Sequence, residues 1–173
     1  MIKPAKTRCF YCYKIKWLAV DNPYFIITVD IRMTEFSEQA IQVKDIMTSP
    51  VSTVNLSDTV AQVLKQAKTK NVTGFPLVDD KNILIGIVST LDLITLMAVG
   101  KQHLKLGELP LAIKVDKEVL TLRPSSTTKE AIKTLIKNRV GRIVIIDNDN
   151  SPCGIVTRKD IVNYFIELYK LEK

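Results

Sequence analysis

The chain has 173 residues, 46% hydrophobic and 25% charged, a globular balance that excludes a disordered polar chain and is long enough to bury a core without staples. Its three cysteines, Cys9, Cys12 and Cys153, are too sparse and too odd in number for a secreted disulfide scaffold and fit a reducing cytoplasm. Of the net charge of +7, residues 1–33 hold +4, from Lys3, Lys6, Arg8, Lys14, Lys16 and Arg32 against Asp21 and Asp30, so the basic excess sits mostly at one end.

Residues 1–33 read as an N-terminal extension. Tyr13–Val20 and Tyr24–Ile31 look like strands, and Asp21-Asn22-Pro23 is a turn signal between them, which allows a hairpin or a disordered arm. A second reading starts the chain at Met33. A basic arm can contact nucleic acid or an anionic surface, although a solvated arm is the plainer reading. Cys9-x-x-Cys12 has the spacing of half a zinc site. A structural zinc needs four ligands, and only Cys153 and His103 remain, so no metal is expected. The apolar run Tyr24 to Val29 falls far short of the roughly 20 residues that span a membrane. Lys14 and Lys16 interrupt any signal-peptide core, so a cytoplasmic protein without a membrane segment is expected.

Val43-Lys44-Asp45-Ile46-Met47 forms a short helical approach, and from there the chain repeats itself. A shift of 68 residues aligns 53–93 with 121–161 without a gap, with identities that include Thr53/Thr121, Thr59/Thr127, Val72/Val140, Asp79/Asp147, Gly86/Gly154 and Asp92/Asp160. Each copy opens with an extended segment, Val51–Val54 or Val119–Leu122. An amphipathic helix follows, marked by Val60, Val63, Leu64 and Ala67 in the first copy and by Ala131, Ile132, Leu135 and Ile136 in the second. Ser57 or Asp58 is expected to cap the first helix, and Thr127-x-x-Glu130 has the form of a capping box for the second.

Two strands come next, Phe75–Val78 with Leu84–Val88 and Ile143–Ile146 with Gly154–Val156. Asp79-Asp80-Lys81-Asn82 and Asp147-Asn148-Asp149-Asn150 turn between them. A closing helix runs from Leu91 to Val99 and again from Lys159 to Leu171. The expected fold is α/β (α+β): two β-α-β-β-α repeats, 41–100 and 104–171, packed as one pseudo-twofold module by burying their apolar sheet faces together. The last helix carries Ile161, Phe165 and Leu168, flanked by Val162, Ile166 and Tyr169, a stripe wide enough for a homodimer face.

The pattern with the most chemistry is Gly-Ile-Val-Ser/Thr-x-x-Asp, once from Gly86 through Ser89 to Asp92 and again from Gly154 through Thr157 to Asp160. Each copy lies where a strand hands over to a helix. That places a hydroxyl and a carboxylate one turn apart at a helix N-terminus, where free N–H groups and the helix dipole favour an anion such as phosphate. The carboxylate can accept from vicinal hydroxyls such as those of ribose. Ser/Thr-x-x-Asp is also close to a capping box, in which the same groups merely satisfy backbone donors. A cap, however, does not require the preceding Gly-Ile-Val strand twice in register.

Gly-hydrophobic-hydrophobic-Ser/Thr-x-x-Asp, following the Val72 to Asp79 stretch with its Pro76-Leu77-Val78-Asp79, resembles the CBS domain family. The approach from Val43 to Thr48 is similar to that family's usual opening, and the resemblance covers about residues 41–171. The second copy departs by having Val144 in place of Pro76 and by its less typical opening, Leu106-Gly107-Glu108-Leu109-Pro110.

The resemblance implies a tandem pair with two clefts, binding adenine nucleotides (AMP, ADP or ATP) and sometimes S-adenosylmethionine as regulatory ligands rather than required cofactors. One cleft would use Thr157, Asp160, Ser52, Val72 and Thr73; the other Ser89, Asp92, Leu120, Val140 and Gly141. Arg142, Arg158 and Lys159 lie near the Asp160 motif in sequence, opposite Gly74, Thr90 and Leu91 in the first copy, so the Asp160 cleft is expected to be the stronger phosphate site. Arg142 is similar to a phosphate-contacting residue of some family members.

No phosphate loop, HExxH or GxSxG is present, and the single His103 sits in a linker without an acid or nucleophile beside it. The chain is therefore expected to be a non-enzymatic, homodimeric sensor that signals to a separate effector protein. The alternative is a nucleic-acid-binding protein that uses the basic arm, with the repeats as its control or dimerisation element.

Overall fold

Each copy folds from the same local signals. The first comprises α1 (Val43–Ile46), β1 (Val54–Asn55), α2 (Val60–Lys70), β2 (Gly74–Val78), β3 (Leu84–Ser89) and α3 (Thr90–Ala98). The second opens with a single 3-10 turn, Leu106–Glu108, followed by β4 (Thr121–Leu122), α4 (Thr128–Lys137), β5 (Arg142–Ile146), β6 (Pro152–Thr157) and α5 (Arg158–Tyr169). The computed structural model describes residues 41–109 and 119–170. The expected N-terminal hairpin or arm, the Cys9/Cys12 pair and the helix end at Leu171 lie outside the described residues.

The two copies form separate three-stranded sheets, β1-β2-β3 and β4-β5-β6. In each, the first strand runs parallel to the second and the second antiparallel to the third. The 68-residue spacing persists in the register: Val54 faces Leu77 as Leu122 faces Ile145, and the irregularities at Leu77/Val78 and Ile145/Ile146 coincide.

The turns explain their residues. Asp79 Oδ1 accepts from the N–H groups of Lys81 and Ile83, and Asp147 Oδ1 accepts from those of Asp149 and Ser151. Asn82 and Asn150 take the left-handed conformation, at φ 62° and 61°, that asparagine tolerates better than most residues.

Two local expectations shift. The opening strands shrink to two residues each. Val51-Ser52-Thr53 and Val119-Leu120 lie outside the strands. The cap of α2 is neither Ser57 nor Asp58 but Thr59, whose Oγ1 accepts from Gln62 N while Gln62 Oε1 accepts from Thr59 N at 2.8 Å. Asp58 instead accepts from Asn55 N, closing the turn before the helix. Thr127 does cap α4, accepting from Glu130 N at 3.2 Å.

The lead-in of each copy packs on the other copy. Gln42 bridges to Thr127, the cap of α4, and Lys105 bridges to Thr59, the cap of α2. Val43 N donates to Ser126 O, and Leu106 N donates to Asp58 O. Val43, fully buried, packs with α1 among α4, α5 and β6. Leu106 and Leu109 join Val54, Val60, Val63, Phe75, Leu77 and Leu93 in the core of the first copy. Each lead-in also carries its own acid one turn on: Asp45 accepts from Gln42 N, and Glu108 accepts from Lys105 N.

Exposed apolar side chains extend beyond the expected stripe on α5 to α3. Ile161 and Tyr164 are buried, Phe165 and Ile166 half-buried, and Val162, Leu168 and Tyr169 exposed. On α3, Leu91 is 70% exposed and Ile94 57%, with Met97 also open, as is Val99 just past its end. A groove of about 580 Å³ between α2 and α3 is lined by Ala61, Leu64, Ile94 and Met97, with Lys65 and Lys68 beside them.

Candidate functional site

The strand-to-helix handovers place the two Ser/Thr-x-x-Asp motifs alike. β3 ends at Ser89 and β6 at Thr157, and the next residue begins a helix. Asp92 Oδ2 accepts from both Ser89 N, at 2.8 Å, and Ser89 Oγ. Asp160 Oδ2 accepts from Thr157 N and Thr157 Oγ1, both at 2.6 Å. The capping geometry is thus real in both copies, and it uses one carboxylate oxygen of each aspartate. Asp160 Oδ1 accepts a long bond, 3.5 Å, from Thr48 Oγ1 of the first copy's lead-in. Among the described residues nothing donates to Asp92 Oδ1. Both aspartates are half-buried.

The loops before β2 and β5 dock on these helix starts. Thr90 N donates to Thr73 O, and Arg158 N donates to Gly141 O, at 3.0 and 3.2 Å. Val72 and Val140 each donate to the last turn of the preceding helix, at Ala67 O and Leu135 O. Leu120 O is taken by Val144 N. Gly141 is open: a Cβ added there meets nothing within 4 Å.

The first copy's lead-in runs along the edge of β6, where Thr48 and Ile155 exchange backbone hydrogen bonds and Ser49 Oγ donates to Cys153 O. Met47 covers Gly154 so closely that a side chain there would strike its Sδ. Four residues past Thr48, Ser52 Oγ accepts from Lys70 Nζ at 2.8 Å. Thr48 and Lys70, which the sequence reading does not single out, thus contact the candidate residues Asp160 and Ser52. Thr48 directly follows the recognised approach segment, but Lys70 has no signal beyond being a cation just before Val72-Thr73-Gly74.

The two arginine side chains reach away from their own backbone positions. Arg142 pairs through its backbone with Thr157, yet its Nη2 donates to Thr73 Oγ1 at 3.0 Å, and its guanidinium overlies Gly74. Burial pulls its pKa below the usual arginine value, and the Asp92 carboxylate pushes back. Arg158 Nε turns back to Val140 O at 3.3 Å. Arg142 thus reaches Thr73, a member of the expected Asp160 cleft, and Arg158 reaches Val140, a member of the expected Asp92 cleft. A long side chain leaves its own strand, and the head of Arg142 crosses to the other copy.

Among the described residues, no group of three or more potential metal ligands is gathered and no helix is long and apolar enough to cross a membrane. His103 is exposed, with its ring nitrogen 3.2 Å from the Gln102 side-chain amide.

The CBS domain family model matches residues 43–99 and 111–167. A Methanocaldococcus jannaschii protein, MJ1232, is 29% identical over 147 residues, covering 85% of this chain and 47% of that protein. Inosine-5'-monophosphate dehydrogenase of the same organism is 29% identical over 125 residues, 72% of this chain and 24% of the enzyme. The chain thus spans less than half the length of these two relatives. Among solved structures, CBSX2 in complex with AMP aligns with a TM-score of 0.62 at 28% identity, covering 74% of this chain and 98% of that one.

Proposed function

We propose, from the premise that the chain belongs to the CBS domain family and carries two copies of the domain, that it is a regulatory module: the two copies hold an adenine nucleotide, AMP, ADP or ATP, in clefts between them and pass the ligand state to a partner protein. The observation that carries this reading is the pair of handovers at Ser89–Asp92 and Thr157–Asp160, where each cap uses one carboxylate oxygen and the other is open at Asp92 and held only by the long bond from Thr48 at Asp160. A ribose diol is a donor pair suited to that oxygen, and the helix N-terminus beside it favours phosphate.

In one cleft Thr157 and Asp160 work with Ser52, Val72 and Thr73, now joined by Thr48 and Lys70. In the other, Ser89 and Asp92 work with Leu120, Val140 and Gly141. Arg142 and Arg158 supply positive charge; the head of Arg142 bonds to Thr73, and the Asp92 carboxylate acts on it as well. The bound AMP of CBSX2, 28% identical to this chain, supports the ligand class. The match to a quarter of a dehydrogenase supports a controlling rather than a catalytic part. The module acts as a homodimer through the apolar faces of α3 and α5.

Thermal unfolding tests the reading. A ligand that binds only the native state raises the melting temperature with its concentration. AMP, ADP or ATP produces that rise, and a nucleic-acid duplex does not. No rise with these nucleotides or S-adenosylmethionine at millimolar concentration rejects it.

A further inference from the structure

We infer that Arg142 is a single phosphate-binding group shared by the two clefts, so that they hold a phosphorylated nucleoside strongly one at a time. The inference rests on the nucleotide reading above and concerns how the clefts divide one charge.

The backbone of Arg142 pairs with Thr157, the head of one Ser/Thr-x-x-Asp box. Its guanidinium donates to Thr73 Oγ1 and covers Gly74, the strand partner of Ser89, which heads the other box. The residue thus lies against both boxes at once. The 68-residue spacing pairs Arg142 with Gly74, so the second copy has the cation where the first has no side chain. That missing side chain is what admits the guanidinium, because a Cβ at Gly74 would overlap its Nη1. The repeat therefore yields one arginine between two aspartates, not one for each.

The chemistry follows from the fork. A guanidinium carries five N–H donors in one plane and grips a phosphate through two of them. Thr73 engages Nη2 alone. Arg142 is half-buried, so an anion that reaches it is screened less than at an exposed lysine. One fork faces one phosphate. Lys70, exposed and bonded to Ser52, and Arg158, exposed at the start of α5, are the competing candidates for the Asp160 side.

Calorimetric titration with AMP and with adenosine, in variants that keep one cleft each, separates these roles. In Asp92→Ala the Asp160 cleft remains, and in Asp160→Ala the Asp92 cleft remains. Each variant is expected to prefer AMP over adenosine by about ten-fold or more, the scale of one charge-assisted contact. Adding Arg142→Ala removes the preference from both, whereas Arg142→Lys, which keeps charge without the fork, only reduces it. In the wild type, only one AMP per chain shows the preference. Melting curves confirm that each variant is folded.

Sharing is overturned if Arg142→Ala removes the preference in only one single-cleft variant, if Lys70→Ala rather than Arg142→Ala removes it, or if the wild type binds two AMP molecules with equal preference. Binding of neither AMP nor adenosine by the wild type overturns the nucleotide reading itself, and the sharing with it.

Discussion

Asp92 and Asp160 each use one oxygen to cap a helix, and that explains why a sequence alone leaves their role open. The cap and the ligand contact want the same residue types at the same spacing. The structure shows the cap in both copies, with the second oxygen taken only by a long bond from Thr48 at Asp160. Capping predicts that Asp92→Ala or Asp160→Ala costs about 1 kcal/mol of stability, a loss read from denaturant melts without ligand. The same scale fixes the cap of α2. Thr59→Ala is expected to cost about 1 kcal/mol, and Ser57→Ala to change stability by less than about 0.5 kcal/mol. Equal effects would contradict the Thr59–Gln62 box. That box was legible, since Thr59-x-x-Gln62 fits the capping rule and Ser57-x-x-Val60 does not. The destination of Arg142 was not legible. Its strand position follows from the repeat, but the direction of its side chain depends on the empty space at Gly74, a residue 68 positions away.

At the scale of elements, the helix and strand periods located the four long helices and the four long strands of the described residues, because burial on one face imposes those periods. The two-residue β1 and β4 were overdrawn, since an extended apolar stretch reads alike whether or not it hydrogen-bonds along its whole length. The outward face of α3 went unread for a related reason. Leu91, Ile94 and Met97 lie on a helix that is apolar on most sides, so sequence does not separate its core side, Leu93 and Leu96, from its open side. An open apolar face of this kind marks an association surface. Ile94→Asp is therefore expected to turn a dimer into a monomer in light scattering while leaving the melting of the monomer cooperative. A wild-type mass of 19.5 kDa at tens of micromolar would contradict the proposed dimer.

For the whole molecule, the exchanged lead-ins matter most. Val43 is buried against the second copy, and Leu106 in the core of the first, so neither copy completes its core alone. Val43→Ala is expected to cost about 2 kcal/mol and to lower one calorimetric transition as a unit. Splitting into two transitions would show that the copies unfold independently. The repeat disclosed the two units. It did not disclose the exchange, because the lead-ins fall outside the ungapped match: Gln42 and Lys105 stand 63 residues apart, their partners Thr127 and Thr59 stand 68 apart.

The exchange also means that anything drawing the copies together at the clefts acts on the whole module, which is how a nucleotide would report to a partner. Calorimetric titration of AMP into the wild type and into the Asp92→Ala/Asp160→Ala double variant tests that claim most directly. The expected result is saturable heat for the wild type and none for the folded double variant over the same concentrations. A wild type that gives no heat at millimolar AMP, or a double variant whose isotherm is unchanged, would contradict it.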